Sequence, residues 1–166
     1  GMAAGVLVAG GMLGAMLIGW RTGVWQPGYH VYAPRTPWVA AQEWARRNTP
    51  IDALFITPPQ IYSQYTSDWR VFSERGTVVT LDELELMHLD PAYLPEWEAR
   101  LEAVAPGAIA RFDYNYLDSA RFTAEAFYSL SAEDLVRVAR RYQASYLVVE
   151  KPHRHPFPVA YENEAF

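Results

Sequence analysis

Cysteine is absent from this chain of 166 residues, which excludes a disulfide framework, a thiolate nucleophile and a cysteine-based metal site. Charge is absent from residues 1–20, so the net charge of −5 belongs to the rest of the chain and gives no reason to expect a nucleic-acid partner. No serine has a G-x-S-x-G setting and no glycine-rich phosphate loop follows a strand, so the patterns of a nucleophilic hydrolase and of a nucleotide-binding protein are both missing.

Apolar and aromatic residues are plentiful, at 51% and 14% of the chain. Without the first twenty residues, about 146 remain, which is enough to bury one core. We therefore expect three parts: a transmembrane helix over 1–20, a juxtamembrane connector over 21–35, and a soluble α/β domain over 36–166.

The first of these parts is an unbroken apolar run from Met2 to Gly19. At 1.5 Å per residue, its eighteen residues are near the lower limit for crossing a bilayer of roughly 30 Å. Three alternatives remain open: a signal peptide, which would need a basic region before a shorter apolar stretch, a buried helix of a soluble protein, and the last helix of a larger membrane protein.

Glycines in the apolar run favour the last alternative. Gly10 and Gly14 have the GxxxG spacing of helices that pack closely in lipid, which predicts other transmembrane helices of the same parent protein and membrane lipid as partners. Trp20, Arg21 and Trp25 are placed as membrane-interface residues. The orientation in the membrane stays open, because only one flank of the run is present.

The pattern after residue 35 predicts a small mixed sheet of about four strands packed with helices. Predicted helices begin after Thr36, at Pro95 and after Ser131, each with a capping or proline signal at its start. Residues 81–89 and 108–130 have no clear period. The predicted strands are Ala53–Thr57, Trp69–Phe72 with a continuation over Thr77–Thr80, Ser145–Val149, and a last strand from Val159.

Four segments resemble a known family: WVAAQEWARRNTPIDALFITPP, WRVFSERGTVVT, LVRVARRYQASYLVVEK and FPVAYENEAF, which together span most of residues 38–166. They are similar to the C-terminal extracytoplasmic domain of bacterial polytopic membrane proteins that resemble the GT-C class of lipid-linked-sugar glycosyltransferases, including domains of unknown function. The matching positions are Trp44, Asn48, Thr49, Pro50, Asp52, Phe55, Arg70, Ser73, Arg75, Tyr142, Tyr146, Val148, Val149 and Tyr161–Asn163.

The resemblance implies a membrane protein whose soluble domain lies outside the cytoplasm and supports substrate or acceptor binding. In that class the catalytic acid generally lies in a loop between transmembrane helices, so this chain would lack the catalytic base and be non-catalytic by itself. The resemblance implies no cofactor here, whereas the parent would use a divalent metal and a lipid-phosphate sugar. The WWDYG signature of oligosaccharyltransferases is missing.

Candidate substrate-binding residues are Asp52, Arg70, Ser73, Glu74 and Arg75. Two guanidiniums can grip a phosphate, although an Arg–Glu pair that ties a loop to the sheet explains the same residues. Asp52 also suits a turn before the first strand. Scattered acids, among them Glu83 and Asp90, indicate a solvated face.

The two histidines His153 and His155 would share one face of a strand, and His30 and His88 could complete a metal site. Flanking prolines favour a solvated loop, so no metal site is predicted. Two other functions remain open beside the glycosyltransferase-like one: a single-span anchored binding or scaffold domain for a protein partner, and a secreted enzyme with a cleaved signal peptide.

Overall fold

A computed structural model describes residues 2–21, 36–59, 67–112 and 116–166. The chain divides into two compact units, 1–32 and 33–166, which are described separately. The predicted connector over 21–35 lies almost entirely outside the described residues, and so do Trp25 and His30.

The first unit contains helix α1, Met2–Arg21. None of the described helices combines the length and apolar character needed to cross a membrane, so the predicted span is not confirmed. At Gly10 and Gly14, an added Cβ would meet nothing within 4 Å, and Arg21 is exposed. The predicted roles of these residues in helix packing and at an interface stay predictions.

The second unit is an α/β domain built on three parallel strands in the order β2-β1-β3. Strand β1 is central, with Leu54 opposite Gly76 of β2 and Phe55 opposite Tyr146 of β3. The α/β class is therefore confirmed, but the sheet is parallel and not mixed. The elements in chain order are α2 (Pro37–Asn48), β1 (Leu54–Ile56), α3 (Trp69–Ser73), β2 (Gly76–Thr77), 3₁₀ helices Leu81–His88 and Pro91–Tyr93, α4 (Leu94–Val104), α5 (Ala108–Arg111), α6 (Tyr116–Tyr128), α7 (Ala132–Tyr142) and β3 (Tyr146–Leu147).

Capping explains where the predicted helices begin. The Thr36 side chain accepts a hydrogen bond from Val39 N at 3.2 Å, and Ser131 and Asp134 form a reciprocal capping box at the start of α7. Such side chains satisfy backbone N–H groups that have no partner in the first helical turn. Both helices follow the sequence prediction closely.

Two predicted strands are wrong. Residues 69–73 form helix α3, because Asp68 accepts a hydrogen bond from Arg70 N and caps the turn, a local signal that outweighs the β-branched and aromatic composition. Residues 159–166 contain no strand. There the Asn163 side chain accepts from Ala165 N and Phe166 N, which folds the segment into a turn.

Buried apolar side chains form two clusters on opposite faces of the sheet. Consecutive strand residues point to opposite faces, and Ile56 belongs to the first cluster whereas Phe55 belongs to the second. The first cluster packs against α4–α7 and contains Trp97, Leu101 and Leu135 among others. The second lies under α2 and α3 and contains Ala41, Ala45, Ala53, Phe55, Trp69 and Val148.

Candidate functional site: a groove along the edge strand

A cavity of about 670 Å³ follows strand β3, which lies at the edge of the sheet. Its walls come from α2 and the second cluster on one face, from α7 on the other, and from residues 151–162 after β3. We call this cavity the β3 groove. The chain passes from β1 to β2 on one side of the sheet and then returns to β3 on the other side of β1.

Aromatic rings form the wall of the groove on the side of α2. Trp44 stacks on Tyr161 with ring centroids 5.2 Å apart, and Phe55 stacks on Tyr146 at 4.8 Å. Phe55 also contacts Trp69 at 4.8 Å. All five side chains line the groove, so this wall offers a rigid apolar surface at low entropic cost.

Trp69 leaves a polar group without a partner in this wall. The residue is 2% exposed, yet its Nε1 makes no hydrogen bond among the described residues. A buried donor without an acceptor costs roughly 1–3 kcal/mol.

Cationic side chains lie at the rim, on the segment after β3. Lys151, the chain's single lysine, pairs with Glu162 at 2.8 Å, and Arg154 reaches the same carboxylate at 3.4 Å. The hydrogen bond from Lys151 and the two positive charges lower the pKa of Glu162. Among the residues that line the groove, Lys151 and Arg154 share this one carboxylate, while Glu150 and Glu164 are exposed near these residues in the sequence.

The predicted anion-binding residue Arg75 has a different environment. It is 7% exposed, and its guanidinium donates to Thr49 Oγ1 at 3.2 Å, to Arg46 O at 2.7 Å, and to Thr49 O at 2.8 Å. It also donates to Glu74 O at 3.0 Å and to Ser73 O at 3.4 Å. All five N–H groups of an arginine are thereby used, two of them on carbonyls at the carboxyl end of α2.

Arg70 lies between two carboxylates. It pairs with Asp68 at 3.0 Å and with Glu83 at 2.6 Å, and it donates to Thr80 Oγ1 at 3.1 Å. Hydrogen bonding to Asp68 outweighs burial and raises the pKa of Arg70. Because the neighbouring carboxylates outnumber it, the interpretation as an Arg–Glu pair that ties a loop in place fits Arg70 better than a phosphate grip.

The other three predicted residues are not gathered into a pocket. Ser73 is fully buried and donates to Trp69 O at 2.6 Å. Glu74, in the left-handed conformation at φ 51°, pairs with Arg46 at 3.1 Å. Asp52 is exposed in the turn before β1. The structure therefore brings Ser73–Arg75 together with α2, and Arg70 with the 3₁₀ helix.

The histidines are not brought together as metal ligands. His153 stacks on Tyr128 with centroids 4.0 Å apart, His155 stacks on Phe157 at 6.1 Å, and His88 is exposed on a separate element. No group of three metal-binding side chains occurs in the described parts of the chain. His153 and His155 instead line the β3 groove.

The sequence patterns do not predict the groove, although they include its aromatic and basic residues. The resemblance named Trp44, Tyr146 and Tyr161, but only the fold places them together around β3. The turn at Asn163 that returns Tyr161 to α2 depends on a hydrogen bond from Asn163 Nδ2 to Pro37 O at 2.8 Å, between residues 126 positions apart. A cluster of prolines and basic residues over 151–158 marks the rim of the groove in the sequence.

The fold and groove define a small parallel α/β domain with a ligand-sized cleft along its edge strand. Among known proteins, residues 36–104 are similar to a family described as a domain of unknown function, DUF6798. No curated protein and no solved structure matches the chain. The matched residues run from the cap of α2 to the end of α4, so they include Trp44 and Trp69 but not β3 or the cationic rim.

Proposed function

We propose that this chain is an extracytoplasmic domain of a polytopic, glycosyltransferase-like membrane protein, in which it binds substrate or acceptor and does not supply the catalytic base. The observation that carries the proposal is the β3 groove, with apolar walls and a cationic rim. The family resemblance supplies the class of reaction, and in this proposal helix α1 leads to the membrane-embedded part of the parent, while none of the described helices has the length and apolar character of a span. In that parent, a divalent metal and a lipid-phosphate sugar would take part in the chemistry.

The groove's chemistry supports an amphipathic or extended anionic ligand. Trp44, Phe55 and Tyr146 present apolar ring faces, and Lys151 and Arg154 add positive charge at one end. Cavities of roughly 300–1,000 Å³ with mostly apolar walls and few polar groups are typical of ligand sites. The cavity of about 670 Å³ lies within this range.

Binding to the groove is measurable by tryptophan fluorescence, since Trp44 and Trp69 line it. The full chain, held in lipid nanodiscs, is titrated with farnesyl phosphate, with farnesol as its uncharged counterpart, and with peptides. We expect saturable binding of at least one anionic ligand, with loss of binding in Ala139→Leu, which fills the groove from α7.

Ala124→Leu is the matched control, because Ala124 lies on α6 outside the groove and the substitution adds the same volume. If no ligand in this panel binds saturably, or if Ala139→Leu and Ala124→Leu bind equally well, the proposal is wrong.

A further inference from the structure

The backbone of β3 has unused hydrogen-bonding groups on its outer side. Phe55 O accepts from Val78 N at 2.9 Å, so the Phe55 peptide faces β2, and Ile56 faces β3 because alternate residues face opposite neighbours. Ile56 O accepts from Val148 N at 2.9 Å. Val148 therefore faces β1, and the N–H and C=O groups of Leu147 and Val149 point away from the sheet.

This outer side opens onto the groove. Leu147 and Val149 both line it, and within the described parts of the chain the backbone of Val149 has no hydrogen bond. The edge is closed only further along, where Lys151 N donates to Ala165 O at 2.8 Å. An open edge with paired donors and acceptors is a template for another strand.

The spacing of these groups identifies the ligand class. Two residues of a strand span about 6.6 Å, so the outward groups of Leu147 and Val149 repeat at the spacing of a polypeptide backbone. A polyprenyl chain has no N–H or C=O groups to match them. Side chains of an added strand would point alternately toward the aromatic wall with Trp44 and toward α7, since the groove borders both faces of the sheet.

The rim adds a preference for charge. Lys151 and Arg154 share the carboxylate of Glu162, and Arg154 is itself 78% exposed, so its guanidinium is accessible to a second carboxylate. An acidic residue near one end of the bound segment would pair with the guanidinium of Arg154.

We propose that the β3 groove binds an extended, acidic polypeptide segment, which adds to the sheet as a strand beside β3. The inference rests on the proposed function, in which the groove is the binding site, and it specifies that the ligand is a polypeptide. Main-chain hydrogen bonds to Leu147 and Val149 would provide affinity, and the two walls would select alternate side chains.

The test uses a phage-displayed library of random decapeptides against the full chain in nanodiscs, followed by synthesis of the best-enriched peptide. We expect enriched sequences that alternate apolar and other residues and contain an acidic residue. N-methylation at each position in turn should then weaken binding with a period of two residues, by about fivefold where a main-chain hydrogen bond to β3 is lost. The peptide scan leaves the protein unchanged, so folding of a variant does not affect it.

Charge reversal tests the rim separately. Arg154→Glu should weaken binding of the acidic peptide by about fivefold, whereas Arg137→Glu should change it by less than about twofold. Arg137 is a matched control because it is 76% exposed and does not line the groove.

The possible outcomes separate this inference from the proposed function. Binding of farnesyl phosphate without enrichment of any peptide overturns the inference and leaves the proposed function standing. If the peptide binds but the effect of N-methylation does not alternate with a period of two residues, strand addition is overturned. Sedimentation that shows two copies of the chain joined through the β3 edge also overturns it. If neither lipid nor peptide binds, both proposals are wrong.

Discussion

Two tryptophans on opposite faces of the sheet are equally buried, at 2% exposure each, but differ in their polar atom. Trp97, in the first cluster, donates from Nε1 to Thr80 O at 2.9 Å. Trp69, in the second cluster, has no acceptor within the described residues. The same residue type is thus a completed core element on one face and an incomplete one on the other.

The difference follows from what covers each face. Helices α4–α7 pack their apolar sides onto the first cluster. The second cluster is covered by α2, the short helix α3 and the returning segment after β3, and these leave the β3 groove beside Trp69. We infer that the first face is the more completely packed of the two, an assignment that substitutions can break or sharpen.

Arg75→Ala is expected to have the largest effect, because Arg75 attaches α2 to the second face. Its loss would leave the carbonyls of Arg46 and Thr49 without the donors that now lie at 2.7 and 2.8 Å. We expect the free energy of unfolding to fall by about 3 kcal/mol, measured by urea denaturation.

Arg46→Ala is the control, since Arg46 pairs with Glu74 through a side chain that is 44% exposed. It should cost less than about 0.5 kcal/mol. Equal costs for the two variants would mean that the guanidinium of Arg75 does not secure the end of α2.

Phenylalanine in place of Trp69 and of Trp97 tests the difference between the two faces directly. Trp97→Phe loses volume and leaves Thr80 O without its donor, so we expect a loss of about 2–3 kcal/mol. Trp69→Phe loses the same volume but removes an unsatisfied donor, so about 1 kcal/mol is expected. Calorimetric unfolding of both variants decides, and equal costs would remove the distinction between the faces.

Asp68→Asn tests the second face through the pH dependence of its stability, since Asp68 caps the helix that begins with Trp69. Burial raises the pKa of Asp68, but hydrogen bonds from Arg70 outweigh it and leave the pKa lowered. Because the pKa of Asp68 is lower in the folded state, its ionised carboxylate stabilises the fold at pH values above the ordinary pKa of about 3.9. This stabilisation is lost as the pH falls through the folded-state pKa.

The Asn variant should therefore be less stable by about 1.5 kcal/mol at pH 7, and the difference should shrink below about pH 4. Urea denaturation at several pH values measures this. Val71→Ala, on the exposed side of the same helix, should show no such convergence. A constant difference for Asp68→Asn across the whole range would contradict the charged hydrogen bonds.

The predictable parts of the fold have local causes. The caps at Thr36 and Ser131 and the apolar run before Pro58 are readable because each involves residues within four positions of one another. The residues of α3 are predicted as a strand because their composition favours β structure. The one helical signal is the capping residue Asp68 that precedes them. The sheet was predicted as mixed because the turn at Asn163 depends on a contact with Pro37, which no local pattern shows.

The site was less predictable than the fold. Arginine and serine over 70–75 suggested a phosphate grip, but the sequence does not show that the carbonyls of Arg46 and Thr49 use the donors of Arg75. Conversely, nothing local marks Leu147 and Val149 as edge residues, since strand order is a property of the whole sheet. Which donors remain available thus depends on long-range packing.

Tyr128→Phe is expected to have the smallest effect on the free energy of unfolding at neutral pH. It tests whether the buried hydroxyl of Tyr128 lacks a hydrogen-bond partner. Tyr128 packs against the first cluster and stacks on His153 of the groove at 4.0 Å. Its buried hydroxyl approaches the backbone of Glu150 without reaching hydrogen-bond geometry. Removal of the hydroxyl should therefore change the free energy of unfolding by less than about 0.5 kcal/mol at pH 7.

At high pH the two proteins should diverge. Burial, and then the charge of Glu150, raise the pKa of Tyr128 to about 12, above its ordinary value of about 10. A raised tyrosine pKa means that the native state holds the proton more tightly than the unfolded state, so stability is lost as pH rises from about 10 through the folded value. Tyr128→Phe lacks this loss and should become the more stable protein above about pH 10, in urea denaturation at pH 7, 9 and 11. A cost above about 1 kcal/mol at pH 7 would instead show that the hydroxyl is bonded.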